Sequence, residues 1–220
     1  MIEIPEAKRK VLAEKFKLMV KPVKIIYFTQ EIECAHCRQT REILDLVQSF
    51  SDKVTVEVHE FGKEMDLAKK FRVDKIPAIV LAADSFNAIR YFGAPSGYEF
   101  ITFVNTIIYL SKGKTDLSSE TKKRLTAISS STVIEVLTLL TCPYCPMMVN
   151  LANQMAIENR NIQSEMIDIA EFPNLAVKYA VSQVPKVLIN KDTQFVGAVE
   201  EGDFLNYVIV GSKKSLSYFT

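Results

Sequence analysis

The chain has little glycine or proline, 7 and 8 in 220 residues, which excludes collagen-like and low-complexity structure and leaves an ordinary globular composition. Long hydrophobic runs are missing too. No stretch reaches the roughly 18 apolar residues of a membrane span, and the opening MIEIPEAKRKVLAEKFKLMV mixes acids and bases where a secretory signal has an apolar core. Nor does charge of one sign prevail. With 27 basic and 26 acidic side chains, no overall field draws the protein to nucleic acid or to an anionic membrane, and neither is an expected partner. The expected compartment is the cytosol (a cytoplasmic protein), where static structural disulfides are rare.

Cysteine is scarce as well, yet its placement is not random. All four cysteines fall in two C-x-x-C pairs, Cys34 and Cys37 in ECAHCRQ and Cys142 and Cys145 in TCPYCPM. A chain that places every thiol this way either holds metal or moves electrons. A four-thiolate zinc or iron–sulfur site is the competing reading. Against it, the pairs stand 108 residues apart, and neither is followed by glycine as in a zinc knuckle. The redox reading is preferred, and no metal is expected.

The chain repeats itself. Pro77 and Pro185 each stand 43 residues beyond the first cysteine of their pair. Lys70 and Lys178, Phe71 and Tyr179, and Val73 and Val181 match at the same offset, and VKIIYF before the first pair corresponds to STVIEV before the second. A single shift superposes strand, cysteines and proline, so the halves read as copies of one unit.

Each copy has the same coarse pattern. VKIIYFT is a buried strand, and RQTREILDLVQSF a helix with Ile43, Leu44 and Val47 at helical spacing. KVTVEVHEF alternates Val54, Val56 and Val58 inward against Thr55, Glu57 and His59 outward, which leaves His59 in solvent. MDLAKKFRV is a short helix, PAIVLA a strand, and EFITFVNTIIYLSKG a closing helix that stops near Gly113. The second copy runs STVIEVL, cysteines, MVNLANQMAIEN, SEMIDIA, NLAVKYAV, PKVLIN, a turn at NKDT, QFVGAV and EGDFLNYVIV. Charged helices, PEAKRKVLAEKF and SSETKKRLTAIS, open the two halves. Strands alternate with helices, so each half is an α/β unit with helices on the faces of one sheet. The boundary falls near residue 115, giving units 1–115 and 116–220.

A thiol attacks as thiolate, and an ordinary cysteine with a pKa of about 8.5 is mostly protonated at neutral pH. Where a strand ends and a helix begins, orphan N–H groups and the positive end of the helix dipole favour the thiolate. Cys34 and Cys142 are therefore the expected nucleophiles. Cys37 and Cys145, one helical turn on and deeper, resolve the mixed disulfide. The residues between tune the thiolate: Ala35 and His36 in one pair, Pro143 and Tyr144 in the other. His36 can donate a hydrogen bond or positive charge to Cys34, and the pair at Cys34 is expected to be the more oxidising. Tyr144 either contacts substrate or covers the site. Met147 and Met148 either rim a peptide site or pack inside. Arg38 and Arg41 either raise the potential around Cys34 or are simply solvated.

A strand, C-x-x-C, a helix and a later apolar-Pro before another strand, twice over, resembles the thioredoxin and glutaredoxin superfamily, and CPYC is the glutaredoxin form of the motif. Two intact units in one chain resemble the protein disulfide oxidoreductases of thermophiles, similar in logic to protein disulfide isomerase. The resemblance implies a tandem repeat of two thioredoxin-fold, glutaredoxin-like units, each a central mixed sheet flanked by helices. It implies that Pro77 and Pro185 are cis, and that Ile76 and Val184 before them offer backbone to a bound polypeptide. It also implies reduction, formation or isomerisation of disulfides in protein substrates, with no bound cofactor beyond the redox-active disulfides. Electrons would come from a flavoprotein thioredoxin reductase that uses a pyridine nucleotide. Glutathione-dependent reduction, or a non-catalytic peptide-binding or metal-binding module, are the alternatives. Thioredoxins carry a buried acid six residues before the first cysteine. Phe28 and Val136 occupy those positions here, and Glu31, Glu33 and Glu135 lie near in sequence, so the proton path to the resolving thiols is open.

Overall fold

The computed structural model describes residues 4–31, 34–83 and 86–214. In chain order the N-terminal half contains α1 (Glu6–Phe16), β1 (Val23–Thr29), α2 (Cys37–Gln48), β2 (Val54–Glu60), α3 (Met65–Lys70), β3 (Ala78–Ala83), β4 (Phe86–Phe92) and α4 (Glu99–Lys112). The C-terminal half contains α5 (Ser119–Leu125), β5 (Thr132–Thr138), α6 (Cys145–Glu158), β6 (Ile162–Asp168), α7 (Pro173–Lys178), β7 (Lys186–Ile189), β8 (Thr193–Val196) and α8 (Glu201–Lys214). Local chemistry sets the helix ends between the halves. Gly113 closes α4 in the left-handed region at φ 62°, which a residue without Cβ adopts without steric cost. The Ser118 side chain caps α5 by accepting from the Thr121 N–H.

Among the described residues the eight strands form one sheet in the order β2-β1-β3-β4-β6-β5-β7-β8. Each half contributes the same four-strand pattern: a parallel pair, then two antiparallel additions. The halves are joined by parallel pairing of β4 with β6, from Ile89 opposite Ser164 to Phe92 opposite Ile167. β4 is absent from the sequence-based pattern, although its counterpart β8 is present there. Its polar Asn87 and Arg90 interrupt the apolar run, and Arg90 is buried only because β6 supplies its partners.

Alternation along these strands places one set of side chains on each face. Tyr91, Ile134, Val136 and Met166 join the large core with Phe103 and Ile107 of α4 and Val149 and Ala152 of α6. Phe28, Val80, Phe92, Leu137 and Ile167 join a smaller core with Ala68 of α3, against which Leu175 of α7 packs. Polar seams cross between the halves on both faces. On the α4/α6 face the Asn153 amide donates to Tyr91 Oη at 2.8 Å and to Thr106 Oγ1 at 3.0 Å, and Ser164 Oγ donates to Asn153 Oδ1 at 2.7 Å. On the α3/α7 face Arg90 donates to Glu165, to Gln163 and to the Phe71 carbonyl.

The repeat is less regular than one shift. Helices α2 and α6, and strands β3 and β7, start 108 residues apart, but β1 and β5 start 109 apart. The turn from β5 to its cysteine is one residue shorter than the turn from β1. A slip of one residue reverses which face a side chain occupies, so Tyr27 corresponds to Val136 in the large core, and Phe28 to Leu137 in the small one. The alternation in β2 also fails at its end: Val58 is exposed and His59 partly buried. β2 is an edge strand with a single neighbour, and His59 is held by Glu64 Oε2 at 2.8 Å from its Nδ1, beside the Phe28 ring.

Candidate active site: two cysteine pairs at one end of the sheet

Strand directions bring the two motifs together. β1, β4, β6 and β5 run parallel, while β3 and β7 run against them. The C-terminal ends of β1 and β5, which lead into the cysteines, therefore share one end of the sheet with the starts of β3 and β7, where Pro77 and Pro185 stand. β1 and β5 are four strand spacings apart, roughly 19 Å at about 4.8 Å each.

Both pairs are closed as disulfides, Cys34 with Cys37 and Cys142 with Cys145, with Cα–Cα distances of 5.5 and 5.6 Å. The second cysteine of each opens its helix. Cys145 is 0 % exposed against 9 % for Cys142, and Cys37 is buried where Cys34 is half-buried. The outer sulfur is thus the one a partner reaches first. At the C-terminal pair the orphan Cys145 N–H donates to Cys142 Sγ at 3.1 Å, a donor that favours negative charge on that sulfur. Cys142 Sγ also lies 3.9 Å from the Val184 carbonyl. At the N-terminal pair Tyr27 Oη donates to the Cys37 carbonyl at 2.7 Å, and burial raises the Tyr27 pKa, so this phenol stays protonated and fixes the start of α2.

The Ile76–Pro77 and Val184–Pro185 bonds are both cis. Ile76 and Val184 are partly buried, and both prolines are buried. Ala35, Pro143 and Tyr144 are exposed. Met147 is exposed beside Tyr144, whereas Met148 lies in the core. Arg38 and Arg41 face Glu42 and Asp45 one turn along α2, at 3.8 and 2.7 Å, which dilutes any field they exert on Cys34.

His36 does not stand alone with Cys34. Its Nδ1 is in ion-pair contact with Glu171 Oε2, from the loop after β6 in the other half. Sequence reading missed Glu171 because no local pattern ties it to the motif.

The acids near the motifs sort differently from their order in sequence. Glu31 is exposed, and Glu33 lies outside the described residues. Glu135 points to the α3/α7 face, where burial and neighbouring Glu165 raise its pKa, and so it belongs to the Arg90 seam. A buried acid that the sequence reading did not name is Glu99, in the first turn of α4, next to the segment that packs on Leu140 just before the CPYC pair. There the Tyr98 N–H donates to the Leu140 carbonyl at 3.3 Å. A Cβ on Gly97, at φ +58°, would fall 2.5 Å from the same oxygen. Glu99 is 0 % exposed, and neither carboxyl oxygen has a hydrogen-bond partner within the protein. Burial, with Asp168 adding negative charge, pushes its pKa up to about 8.

Among the described residues, no cluster of three or more His, Cys, Asp or Glu is arranged to hold a metal ion, and no helix is long and apolar enough to cross a membrane.

Comparison with known proteins agrees with this geometry. The thioredoxin family matches residues 8–106, and a thioredoxin domain family matches residues 132–209. A protein disulfide oxidoreductase from Aeropyrum pernix superposes with a TM-score of 0.88 at 30% identity, over 97% of this chain and 96% of that one. Thioredoxin of Methanocaldococcus jannaschii is 34% identical over 70 residues, 31% of this chain and 82% of that protein. One component of the Pseudomonas aeruginosa alkyl hydroperoxide reductase is 25% identical over 179 residues, 79% of this chain, and the chain spans only 32% of that relative's length. This chain belongs to the thioredoxin family and carries two thioredoxin-fold units, each with its own cysteine pair.

Proposed function

We propose that the protein is a thiol–disulfide oxidoreductase that exchanges disulfides with polypeptide substrates at both cysteine pairs. The observation that carries this is the C-terminal geometry: Cys142 Sγ receives the Cys145 N–H and lies beside the Val184 carbonyl. An extended substrate that pairs with the Val184 backbone would present its sulfur to Cys142. Exposed Tyr144 and Met147 offer apolar contact to the same segment. Ile76, Pro77 and Cys34 would play the equivalent parts in the N-terminal half.

In the reducing direction the Cys142 thiolate attacks one substrate sulfur, the substrate S–S bond breaks, and the first substrate thiol leaves after taking a proton. Cys145 then gives up its proton and attacks Cys142 Sγ, which releases the second substrate thiolate and leaves the pair as a disulfide. Two electrons have passed to the substrate. Glu99 is the group we assign to the Cys145 proton, because it is a fully buried acid with no hydrogen-bond partner for either carboxyl oxygen, in a segment that packs on Leu140 just before the pair, and burial raises its pKa toward the neutral range. The acid comes from the other half of the chain, so the CPYC site would be composite. In the oxidising direction the same steps run backward.

A pyridine-nucleotide-dependent flavoprotein reductase is the proposed electron donor. The likeness to a reductase component about two and a half times as long supports a partner of that class. A cytosolic location and a unit boundary near residue 115 complete the reading. The boundary is supported by the cap at Gly113 and the start of α5 at Ser119.

The test is turnover of a disulfide-bonded polypeptide by Cys34→Ser, Cys142→Ser and the double variant, with Cys37→Ser and Cys145→Ser as traps. Each single nucleophile variant should retain the activity of the other site, the double variant should lose it, and the trap variants should accumulate a mixed disulfide visible as added mass. Undiminished turnover in the double variant would overturn the reading.

A further inference from the structure

His36 lies between the cysteines of the N-terminal pair, yet its Nδ1 is engaged by Glu171 Oε2 from the other half. Glu171 is held in the turn after β6, where its N–H donates to the Asp168 carbonyl at 3.2 Å. Its side chain is 9 % exposed against 43 % for the imidazole, so the acid is the fixed partner and the histidine is drawn to it. A second carboxyl, Asp168 at the end of β6, also acts on His36. α2 itself has no acid in its first turn. From Glu171 and Asp168, negative charge reaches this motif across the seam between the halves.

We propose that Glu171 is a positioning residue for the Cys34–Cys37 pair: by holding His36 it withholds the imidazole from the Cys34 thiolate and keeps this pair more reducing than the motif alone implies. The proposal rests on the oxidoreductase reading above. Reducing the pair consumes two electrons and, near neutral pH, one proton. The S–S bond breaks, Cys37 becomes a thiol and Cys34 a thiolate, and the electrons come from an external dithiol that closes to its own disulfide. Any group that stabilises the thiolate favours the reduced form and makes the disulfide a stronger oxidant. A free imidazole would do this by hydrogen bond or by charge. An imidazole bound to a carboxylate presents a compensated pair instead. Neutralising Glu171 removes one negative charge beside the motif and frees the imidazole to face Cys34, so the surroundings of that sulfur favour the thiolate more strongly. The docking of the halves thereby sets the potential of a site that lies wholly in one of them.

The test is the midpoint of each pair in Glu171→Gln, Glu171→Asp, His36→Gln and the Glu171→Gln/His36→Gln double variant, read by alkylation in graded dithiol buffers. Glu171→Gln should favour the dithiol at Cys34–Cys37 about tenfold, about 30 mV for a two-electron couple, and leave Cys142–Cys145 unchanged. Glu171→Asp, which keeps the charge, should stay near the wild-type midpoint, and Glu171→Gln should have no effect once His36 is Gln. An unchanged midpoint, an equal shift at both pairs, or the same shift with and without His36 would overturn the proposal. Failure of the wild-type protein to exchange thiols at either pair would instead overturn the oxidoreductase reading.

Discussion

Arg90 Nε in β4 donates to Glu165 Oε1 in β6 at 3.0 Å, so the two strands that join the halves also carry an ion pair between them. Arg90 is 2 % exposed and spends its other nitrogens on Gln163 and the Phe71 carbonyl. Removing one partner of a buried pair leaves the other charge uncompensated. Arg90→Ala is expected to destabilise the protein by about 3–5 kcal/mol, measured by denaturant unfolding, while Arg90→Met with Glu165→Met should cost much less. Equal losses in the two variants would show that the seam is not electrostatic.

On the opposite face Asn153 satisfies Tyr91, Thr106 and Ser164 together. Asn153→Ala leaves the Ser164 hydroxyl without its acceptor and removes a donor from Tyr91 and Thr106, which keep their bonds to each other and to the Thr102 carbonyl, at a cost of about 1–3 kcal/mol. Because the network bridges the halves, one cooperative transition should move as a whole to lower denaturant. Loss of cooperativity with no change at the first transition would contradict that.

Glu99 makes a prediction about pH. Its folded pKa of about 8 stands above the ordinary 4.5, so the folded state holds a proton that the unfolded chain has released. The associated stability is fully present below about pH 4.5 and is lost as pH rises toward 8. Asp168, also raised by burial, acts in the same direction. Wild-type stability should therefore fall across that window relative to Glu99→Gln, whose side chain does not ionise. A pH-independent difference between the two would mean that the carboxyl is not buried as described. Glu99→Gln should also slow release of substrate from Cys142 by about 10²-fold and leave the initial attack intact, a split that stopped-flow mixing resolves.

Gly97 combines a left-handed backbone with a Cβ position 2.5 Å from the Leu140 carbonyl. Gly97→Ala must displace the turn that enters the CPYC site, at a cost of about 1–3 kcal/mol. Exchange at Cys142 should slow while exchange at Cys34 stays near wild type. Equal loss at both sites would point to general destabilisation.

Much of this was legible in the sequence, because strand runs, helical spacing and the two motifs are local signals. Cys34, Cys37, Cys142 and Cys145 stand out by spacing alone, whereas Pro77 and Pro185 are marked by their common offset and expected to be cis only from the family resemblance. Three features were not legible. β4 hides its role behind Arg90, a residue that reads as surface until β6 supplies Glu165. The one-residue difference before the second pair changes which face Tyr27 and Val136 share, and an offset fixed on cysteines and prolines passes over it. Glu99 and Glu171 lie 43 residues before Cys142 and 135 residues after His36, and they reach the sites only because the halves share a sheet. A signal for Glu99 was present in an acid that opens an otherwise apolar helix just after Gly97, but it could equally have been a helix-dipole residue.

The central claim, two separate dithiol–disulfide couples at one end of a joined sheet, is tested most directly by counting free thiols. Intact mass after alkylation, across a graded series of dithiol buffers with and without chelator, should step reversibly through four, two and zero thiols, with the same midpoints in both series. Four thiols that resist alkylation until a chelator is added would show a metal site in place of redox pairs and would contradict the claim.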